Sequence, residues 1–329
     1  MRRRDAIARL AWWSVPVAAG RIGASRAQPA ARLPRVGVLG GGSPATTGHF
    51  VEAFEGRMRE LGYHEGRNIA YERRWGEGRT ERLPALAAEL VALPVDVILA
   101  STTFVIEAAR RATATLPIVM ATGGSIASYI DRGWIASLAR PGGNLTGFRG
   151  SASEEMDAKR LELLKTMAPG IAKVAMVTEL TPQPATSEGA QRLGLRLDRY
   201  FVRSAEDLDR ALDRIAQDRP DALLESGGLL VFLHRQRVAD LVTRLRLPAM
   251  SGISDSARTG LLMAYSVDLV DLFRRAAGYV DRILRGTPPG QLPIEQPTKF
   301  ELVINARTAR ALGLAIPPAL RLRADEVIE

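Results

Sequence analysis

Val95–Thr103 has the sequence VDVILASTT, a β-branched apolar run that ends in three hydroxyl-bearing residues. Such a run predicts a buried strand of a parallel sheet, because strands covered on both faces are apolar at consecutive positions. In sheets of this kind ligands bind beyond the carboxyl ends of the strands. Six further apolar runs have a Gly, Ser or Thr within two residues after their end: Val36–Leu39, Ile118–Ala121, Val174–Val177, Ala222–Leu224, Pro248–Met250 and Leu261–Tyr265. The polar ends of all seven runs are therefore the predicted functional region.

Helical segments separate these runs and divide the chain into two similar α/β halves. The first half ends near Gly147, and the second spans residues 148–266. Ser151–Glu154 and Ser204–Asp207 have the spacing of helix N-caps, and Leu269–Arg285 has the periodicity of a long amphipathic helix. Two such halves predict two lobes with a ligand cleft between them, as in proteins that close around a small ligand. One large open sheet is the alternative.

The first 27 residues have the features of an export signal. Arg2–Arg4 form a basic start, Ala6–Gly20 is mainly apolar, and Ser25–Ala27 has the small-x-small form of a cleavage site. We expect cleavage near Ala27 and a periplasmic protein, exported by either the Sec or the twin-arginine route. An amphipathic N-terminal helix or arm is the alternative.

The basic charge of the chain does not indicate nucleic-acid binding. The formal net charge is +9, but the predicted signal holds six Arg and one Asp and so accounts for +5 of it, leaving +4. No dense Lys/Arg cluster is interleaved with aromatic residues. The absence of Cys excludes disulfides, thiolate catalysis and cysteine metal sites.

Motifs for cofactor binding or catalysis are weak or missing. Gly37–Gly42 has the wrong glycine order for a dinucleotide fingerprint, and Glu72 lies within the second predicted strand rather than at its end. His49, His64 and His234 are dispersed, and the sequence has neither H-E-x-x-H nor G-x-S-x-G. We therefore expect no cofactor, no metal and no catalytic residue.

The strand ends instead supply hydroxyls and backbone amides, which hold carboxylates without a formal counter-charge. For each Ser or Thr taken alone a helix N-cap is the better explanation, whereas convergence of the whole set on one crevice favours ligand contact. Glu179 and Asp268 are candidate partners for a ligand amine, and Tyr265 is a candidate stacking residue. The predicted ligand-binding set is Ser43, Ser101, Thr102, Thr103, Ser125, Thr178, Glu179, Ser226, Gly227, Ser251, Gly252, Tyr265 and Asp268.

Several blocks resemble ABC-transporter substrate-binding proteins of the tryptophan/tyrosine-binding-like group. The resemblance covers almost the whole chain after the predicted signal. The blocks are Tyr71–Trp75, Arg82–Val91, Ala136–Gly147, Lys159–Lys165, Asp271–Ala277, Glu295–Asn305 and Ala324–Ile328.

This resemblance implies a type I periplasmic-binding fold, an α/β architecture of two Rossmann-like lobes with parallel sheets. Three crossings would join the lobes near Thr146–Gly150, Tyr265–Val267 and Pro293–Pro297. Lobe 1 would comprise residues 33–147 and 267–293, and lobe 2 residues 148–266 and 297–329. The presumed pocket departs from the family pattern, because Gly123–Ser125 stands where members often have an Asp-Pro pair. Likewise, Ser226–Gly228 stands where they often have an acid or amide.

The implied function is that of an exported, monomeric solute-binding protein of an ABC importer. It would capture a small polar molecule, an amino acid or a related carboxylate, between the lobes and deliver it to an inner-membrane ABC permease. A ligand sensor of the same fold that signals to a receptor or kinase is the first alternative. An α/β enzyme is the second.

Overall fold

The structure is a computed structural model that describes residues 32–123, 126–150, 154–179 and 184–329. The predicted export signal, Ser125 and the Ser151 end of one predicted helix cap lie outside these ranges. In the first half the strands are β1 Arg35–Gly40, β2 Ala70–Trp75, β3 Val97–Ser101, β4 Ile118–Gly123 and β5 Leu145–Arg149. The helices between them are α1 Pro44–Glu60, α2 Leu83–Ala92, α3 Thr103–Ala112 and α4 Ile126–Asp131.

The second half repeats the alternation of helices and strands, and a C-terminal segment follows it. Its strands are β6 Lys173–Thr178, β7 Arg196–Phe201, β8 Ala222–Glu225, β9 Ala249–Ser251 and β10 Met263–Val267. Its helices are α5 Glu154–Met167, α6 Pro184–Arg192, α7 Ala205–Asp218, α8 Leu229–Leu233, α9 Arg235–Leu245 and α10 Ser254–Thr259. The last elements are α11 Leu269–Leu284, β11 Ile294–Glu295, β12 Phe300–Asn305, α12 Ala306–Leu312, α13 Pro318–Arg323 and β13 Glu326–Ile328.

The strands form two sheets rather than one, and helices cover both. Within the described residues the first sheet has the order β11-β5-β4-β3-β1-β2 and is parallel throughout. The second has the order β13-β12-β10-β9-β8-β6-β7, in which β12 runs antiparallel to β10. The α/β class with two mostly parallel sheets is thereby confirmed.

Apolar burial explains why each half folds around its own sheet. Residues from α1 and α11, such as Phe54, Met58 and Val280, pack with Val36 and Val119 of the first sheet. A separate cluster on one face of the second sheet joins α5 to β6 and β12. We call the first sheet with its helices lobe 1 and the second sheet with its helices lobe 2.

Three connections join described elements of one lobe to described elements of the other. The first follows Arg149 at the end of β5, and the third lies between β11 of the first sheet and β12 of the second. The second is Asp268, which joins β10 in lobe 2 to α11 packed on lobe 1. Asp268 starts α11 as its N-cap, because its carboxylate accepts the Asp271 amide at 2.9 Å.

Candidate ligand-binding site

A cavity of about 860 Å³ lies at the carboxyl ends of strands from both sheets. Its lobe 1 wall includes the last residue of each of β1 to β5: Gly40, Trp75, Ser101, Gly123 and Arg149. Its lobe 2 wall includes Thr178, Glu179, Arg199, Ser226 and Gly227. This volume is within the range of drug-sized ligand pockets, and the site is where parallel sheets bind ligands.

The structure brings seven of the predicted ligand-binding residues to this cavity. They are Ser101, Thr102, Thr103, Thr178, Glu179, Ser226 and Gly227. Ser43, Ser251, Gly252, Tyr265 and Asp268 are not part of its lining. Ser125 lies outside the described residues.

Two of the residues away from the cavity use their polar groups for helix capping. The Ser43 hydroxyl accepts the Thr46 amide at 3.3 Å, and the Thr46 hydroxyl accepts the Ser43 amide at 2.9 Å. Asp268 caps α11 and also accepts a hydrogen bond from the Lys299 ammonium at 2.5 Å. Burial opposes its ionisation, but Lys299 and the Asp271 amide lower the pKa of Asp268 overall.

Of the other three, the Ser251 hydroxyl accepts the Ile253 amide at 3.0 Å, whereas Tyr265 and Gly252 lie beside a buried guanidinium in lobe 2. Arg160, on α5, is fully buried and donates from Nε to the Tyr265 carbonyl at 2.8 Å. It also donates to Asp157 at 2.7 Å and, over 3.4 Å, to the carbonyl of Ser226. Gly252 leaves room for it, since a β-carbon there would be 3.0 Å from Arg160 Cζ. These groups therefore support the wall of the cavity from behind.

The lobe 1 wall changes from cationic to aromatic across the sheet. In strand order it runs from Arg149 on β5 through Thr122 on β4, Ser101 on β3 and Gly40 on β1 to Trp75 on β2. Strands are about 4.8 Å apart, so Arg149 and Trp75 are separated by about 19 Å along this edge. The Trp75 ring lies against the Gly40 backbone, where a β-carbon would be 2.4 Å from Trp75 Cε3.

Thr102 has an unusual backbone conformation where β3 joins α3. Its φ is 69° and its ψ 156°, a region that is essentially restricted to glycine. The backbone is held there because the Thr102 amide donates to Thr122 at 2.9 Å and the Thr102 carbonyl accepts from Ile106 at 3.0 Å. The Thr102 hydroxyl is buried beside the cavity and has no hydrogen-bond partner among the described residues.

Both acidic side chains of the described lining are engaged within the protein. Asp157 pairs with Arg160 at 2.7 Å. Glu179, directly after β6, accepts the Val231 amide of α8 at 3.0 Å. Burial raises the pKa of Glu179 to about 7, against the lowering effect of the amides of Val231, Leu230 and Leu229. At neutral pH Glu179 is therefore only partly ionised.

Sequence reasoning missed three ionisable residues of the wall, Asp157, Arg199 and Arg149. The Arg149 side chain lines the cavity and makes no hydrogen bond or ion pair with the described residues. Arg199, also in the wall, donates to Ser187 at 2.6 Å. The available indication was the position of Arg149 at the end of Leu145–Arg149, but the predicted set combined Gly, Ser and Thr with Tyr265 and two acids and contained no cation.

Helix α8 connects the two lobes beside the cavity. Its Leu230 and Val231 pack in the core of lobe 2, whereas its Leu229 and Phe232 pack in apolar clusters of lobe 1. The Phe232 ring centroid is 6.4 Å from that of Phe50 on α1. Apolar burial at α8 thus contributes to the contact between the lobes.

Among the described residues, no helix is both long and apolar enough to span a membrane. Within the same residues there is no group of three or more His, Cys, Asp or Glu side chains placed to hold a metal ion.

Fold and site together define a two-lobed binding protein, and comparisons with known proteins assign its family. A family model described as ABC transporter substrate binding protein matches residues 45–328. The chain belongs to this family. Because the family consists of solute-binding proteins, the prediction that the chain is not an enzyme is confirmed.

Individual relatives are distant in sequence but similar in fold. The tyrosine-binding protein of Clostridioides difficile (strain R20291) is 23% identical over 284 residues, 84% of this chain and 78% of that protein. An ABC domain from Streptococcus pneumonia in complex with L-Trp superposes with a TM-score of 0.80 at 20% identity, over 90% of this chain and all of that one. A conserved domain protein from Vibrio cholerae gives 0.79 at 22% identity over the same shares. The type I periplasmic-binding fold is confirmed.

Proposed function

We propose that this protein is the exported solute-binding component of an ABC importer. In this proposal it captures a small polar molecule, an amino acid or a related carboxylate, between its lobes and delivers it to an inner-membrane permease. The observation that supports it most is the cavity itself, because residues of both sheets line it. A ligand that touches both lobes stabilises the arrangement in which they are in contact, and a permease can recognise that arrangement.

The proposed ligand contacts are the seven predicted residues at the cavity, together with Arg149. Hydroxyls and amides from lobe 1 bind one side of the ligand, and Thr178, Ser226 and Gly227 of lobe 2 bind the other. The Ser226 hydroxyl donates to the Thr178 hydroxyl at 2.9 Å, so both oxygens are already oriented. The tyrosine- and tryptophan-binding relatives support a ligand with a carboxylate and an apolar part.

A thermal-shift panel of amino acids, carboxylates and nucleobases tests ligand capture. A ligand present at 100 times its Kd stabilises the folded state by about 2.7 kcal/mol, which gives a clear rise in melting temperature. Calorimetry then measures the Kd of each compound that shifts the melt. If no compound shifts the melt and turnover of a substrate is seen instead, the binding function is wrong.

Export and delivery need separate measurements in cells. Fractionation should find the protein in the periplasm, with a mass that corresponds to cleavage near Ala27. Deletion of the gene should abolish uptake of the labelled ligand, and the wild-type gene should restore it. Normal uptake in the deletion strain would argue against an importer role and favour sensing.

A further inference from the structure

The charged groups of the cavity wall are not balanced for a zwitterion. Among the described residues the wall contains two guanidinium groups, Arg149 and Arg199, and two carboxyl groups, Asp157 and Glu179. A zwitterionic amino acid needs an available cation for its carboxylate and an available acid or equivalent acceptor for its ammonium group. The four side chains offer an available cation for the carboxylate but no available acid for the ammonium group.

Both acids are already used by the protein. Asp157 is buried and forms an ion pair with the buried Arg160. If Asp157 paired with a ligand instead, the Arg160 charge would be left unpaired. Glu179 accepts the amide of Val231 at the start of α8, and burial keeps it partly protonated at neutral pH. The carbonyl of Ser226, a further acceptor at the wall, receives the Arg160 guanidinium at 3.4 Å. A ligand ammonium placed here would lose its hydration without gaining a full counter-charge.

Arg149, in contrast, is available. It is half-buried, forms no ion pair with the described residues and stands at the polar end of the lobe 1 wall. A guanidinium binds a carboxylate with two parallel hydrogen bonds, and the interaction is strong when water is excluded. The negative end of a ligand is therefore expected at β5.

The remainder of the wall fits an apolar body. Phe104, at the start of α3, is 37% exposed and lines the cavity two strands away from Arg149, and Trp75 lies two strands further. With strands about 4.8 Å apart, these aromatic surfaces are about 10 and 19 Å from the β5 end. An extended chain or ring system anchored by its carboxylate reaches the first of them.

We infer that the ligand class is a carboxylate with an aromatic or aliphatic body and no ammonium group, held by Arg149. This inference rests on the proposed function and narrows its ligand.

Matched pairs of compounds test it by isothermal titration calorimetry on the purified full-length protein. Each pair differs in the amino group: 3-phenylpropionate and L-phenylalanine, 4-methylpentanoate and L-leucine, indole-3-propionate and L-tryptophan. We expect each carboxylate that binds to do so at least tenfold more tightly than its amino acid. Equal affinities, or tighter binding of the amino acids, would overturn the inference and leave the proposed function standing.

Variants of Arg149 assign the role of the guanidinium. Arg149→Gln should weaken binding of the preferred carboxylate at least tenfold, and Arg149→Lys should weaken it less because the charge remains. Arg67→Gln removes the same charge from an exposed loop just before β2, at the opposite edge of the sheet, and should leave the Kd unchanged. An unchanged Kd in a folded Arg149→Gln variant would overturn the assignment.

Two further outcomes separate this inference from the proposed function. If none of the six compounds binds but another compound of the panel does, the ligand class is wrong and solute binding is retained. If nothing in the whole panel binds the folded protein, the proposed function fails together with the inference.

Discussion

Gly41 of lobe 1 lies directly against Leu229 of lobe 2, so closely that a β-carbon at position 41 would be 2.3 Å from Leu229 Cδ2. Leu229 is the first residue of α8 and is buried among lobe 1 side chains. The absence of a side chain at position 41 therefore allows the two lobes to come into close contact.

Gly41→Ala should weaken ligand binding about tenfold. The added methyl group displaces Leu229 and moves α8 away from lobe 1, and overpacking of this kind costs about 1–3 kcal/mol. Calorimetry with the ligand found in the panel measures the effect. Leu229→Ala makes room for the methyl group, so the double variant should lose less affinity than the two single losses added together.

Gly56→Ala is the matched control for this substitution. Gly56 lies within α1, and the nearest atom to a β-carbon there is Arg59 Nη2 at 3.6 Å. The change should leave the Kd unaltered and slightly raise stability, because Ala favours the helix over Gly by about 1 kcal/mol. Equal losses of affinity in both variants would show that contact at Gly41 is not responsible.

Arg160→Met should destabilise lobe 2 strongly. Removal of one partner of a buried pair costs about 3–5 kcal/mol, because Asp157 is left as an uncompensated buried charge. Urea unfolding measures the loss, and Asp157→Asn in the same chain should recover part of it. The exposed pair Arg196–Asp198 provides the comparison, since Arg196→Met should cost no more than about 1 kcal/mol. Similar losses at both sites would contradict the structural role of Arg160.

The fold was predictable from the sequence wherever a strand is covered on both faces. β3 and β6 have consecutive buried residues and stood out as apolar runs. β7 did not stand out in this way, because it is an edge strand. Its sequence is RLDRYF, and Tyr200 is its one buried residue. Its existence depends on pairing with β6, a tertiary contact that local pattern does not encode.

The location of the cavity at the strand ends was predictable, but the side chains that line it were predictable only in part. Ser101 and Ser226 follow from the rule that ligands bind at strand ends. The same rule also selected Ser43 and Ser251, but whether a hydroxyl faces a cavity or a backbone amide depends on packing. The Ser251 hydroxyl accepts the Ile253 amide at 3.0 Å, as the Ser43 hydroxyl accepts that of Thr46. The sequence does not show that Arg149 lines the cavity without an ion-pair partner among the described residues, because that too depends on packing.

Glu225 should make the protein less stable as the pH rises from about 4.5 to 7. This side chain is fully buried at the end of β8, and burial raises its pKa to about 7, although Ser256, Ser251 and the Arg160 charge oppose the shift. The folded state then holds a proton that the unfolded state has already released. Stability is therefore lost across this window, on the order of 3 kcal/mol at about 1.4 kcal/mol per pKa unit.

Glu225→Gln isolates this contribution, because Glu179 has the same direction of shift and continues to titrate. Urea unfolding at pH 5 and pH 8 should show a smaller loss of stability with rising pH in the variant than in the wild type. Glu52→Gln, on the exposed face of α1, should leave the difference between the two pH values as it is. An identical pH dependence in wild type and Glu225→Gln would show that Glu225 is not protonated in the folded state.

Thr102→Gly should make the protein more stable and a poorer binder. The φ of 69° places a β-branched residue in a region that costs about 1–3 kcal/mol for any side chain, whereas glycine adopts it freely. Glycine loses about 0.5–1 kcal/mol more conformational entropy on folding, so a net gain of about 1 kcal/mol is expected in urea unfolding. Thr103→Gly, at the first residue of α3, should lower stability instead, because glycine is a poor helix former. Because the buried Thr102 hydroxyl beside the cavity has no hydrogen-bond partner in the described part of the chain, its loss should also raise the ligand Kd. A Kd equal to that of the wild type would mean that the strain at Thr102 does not serve ligand binding.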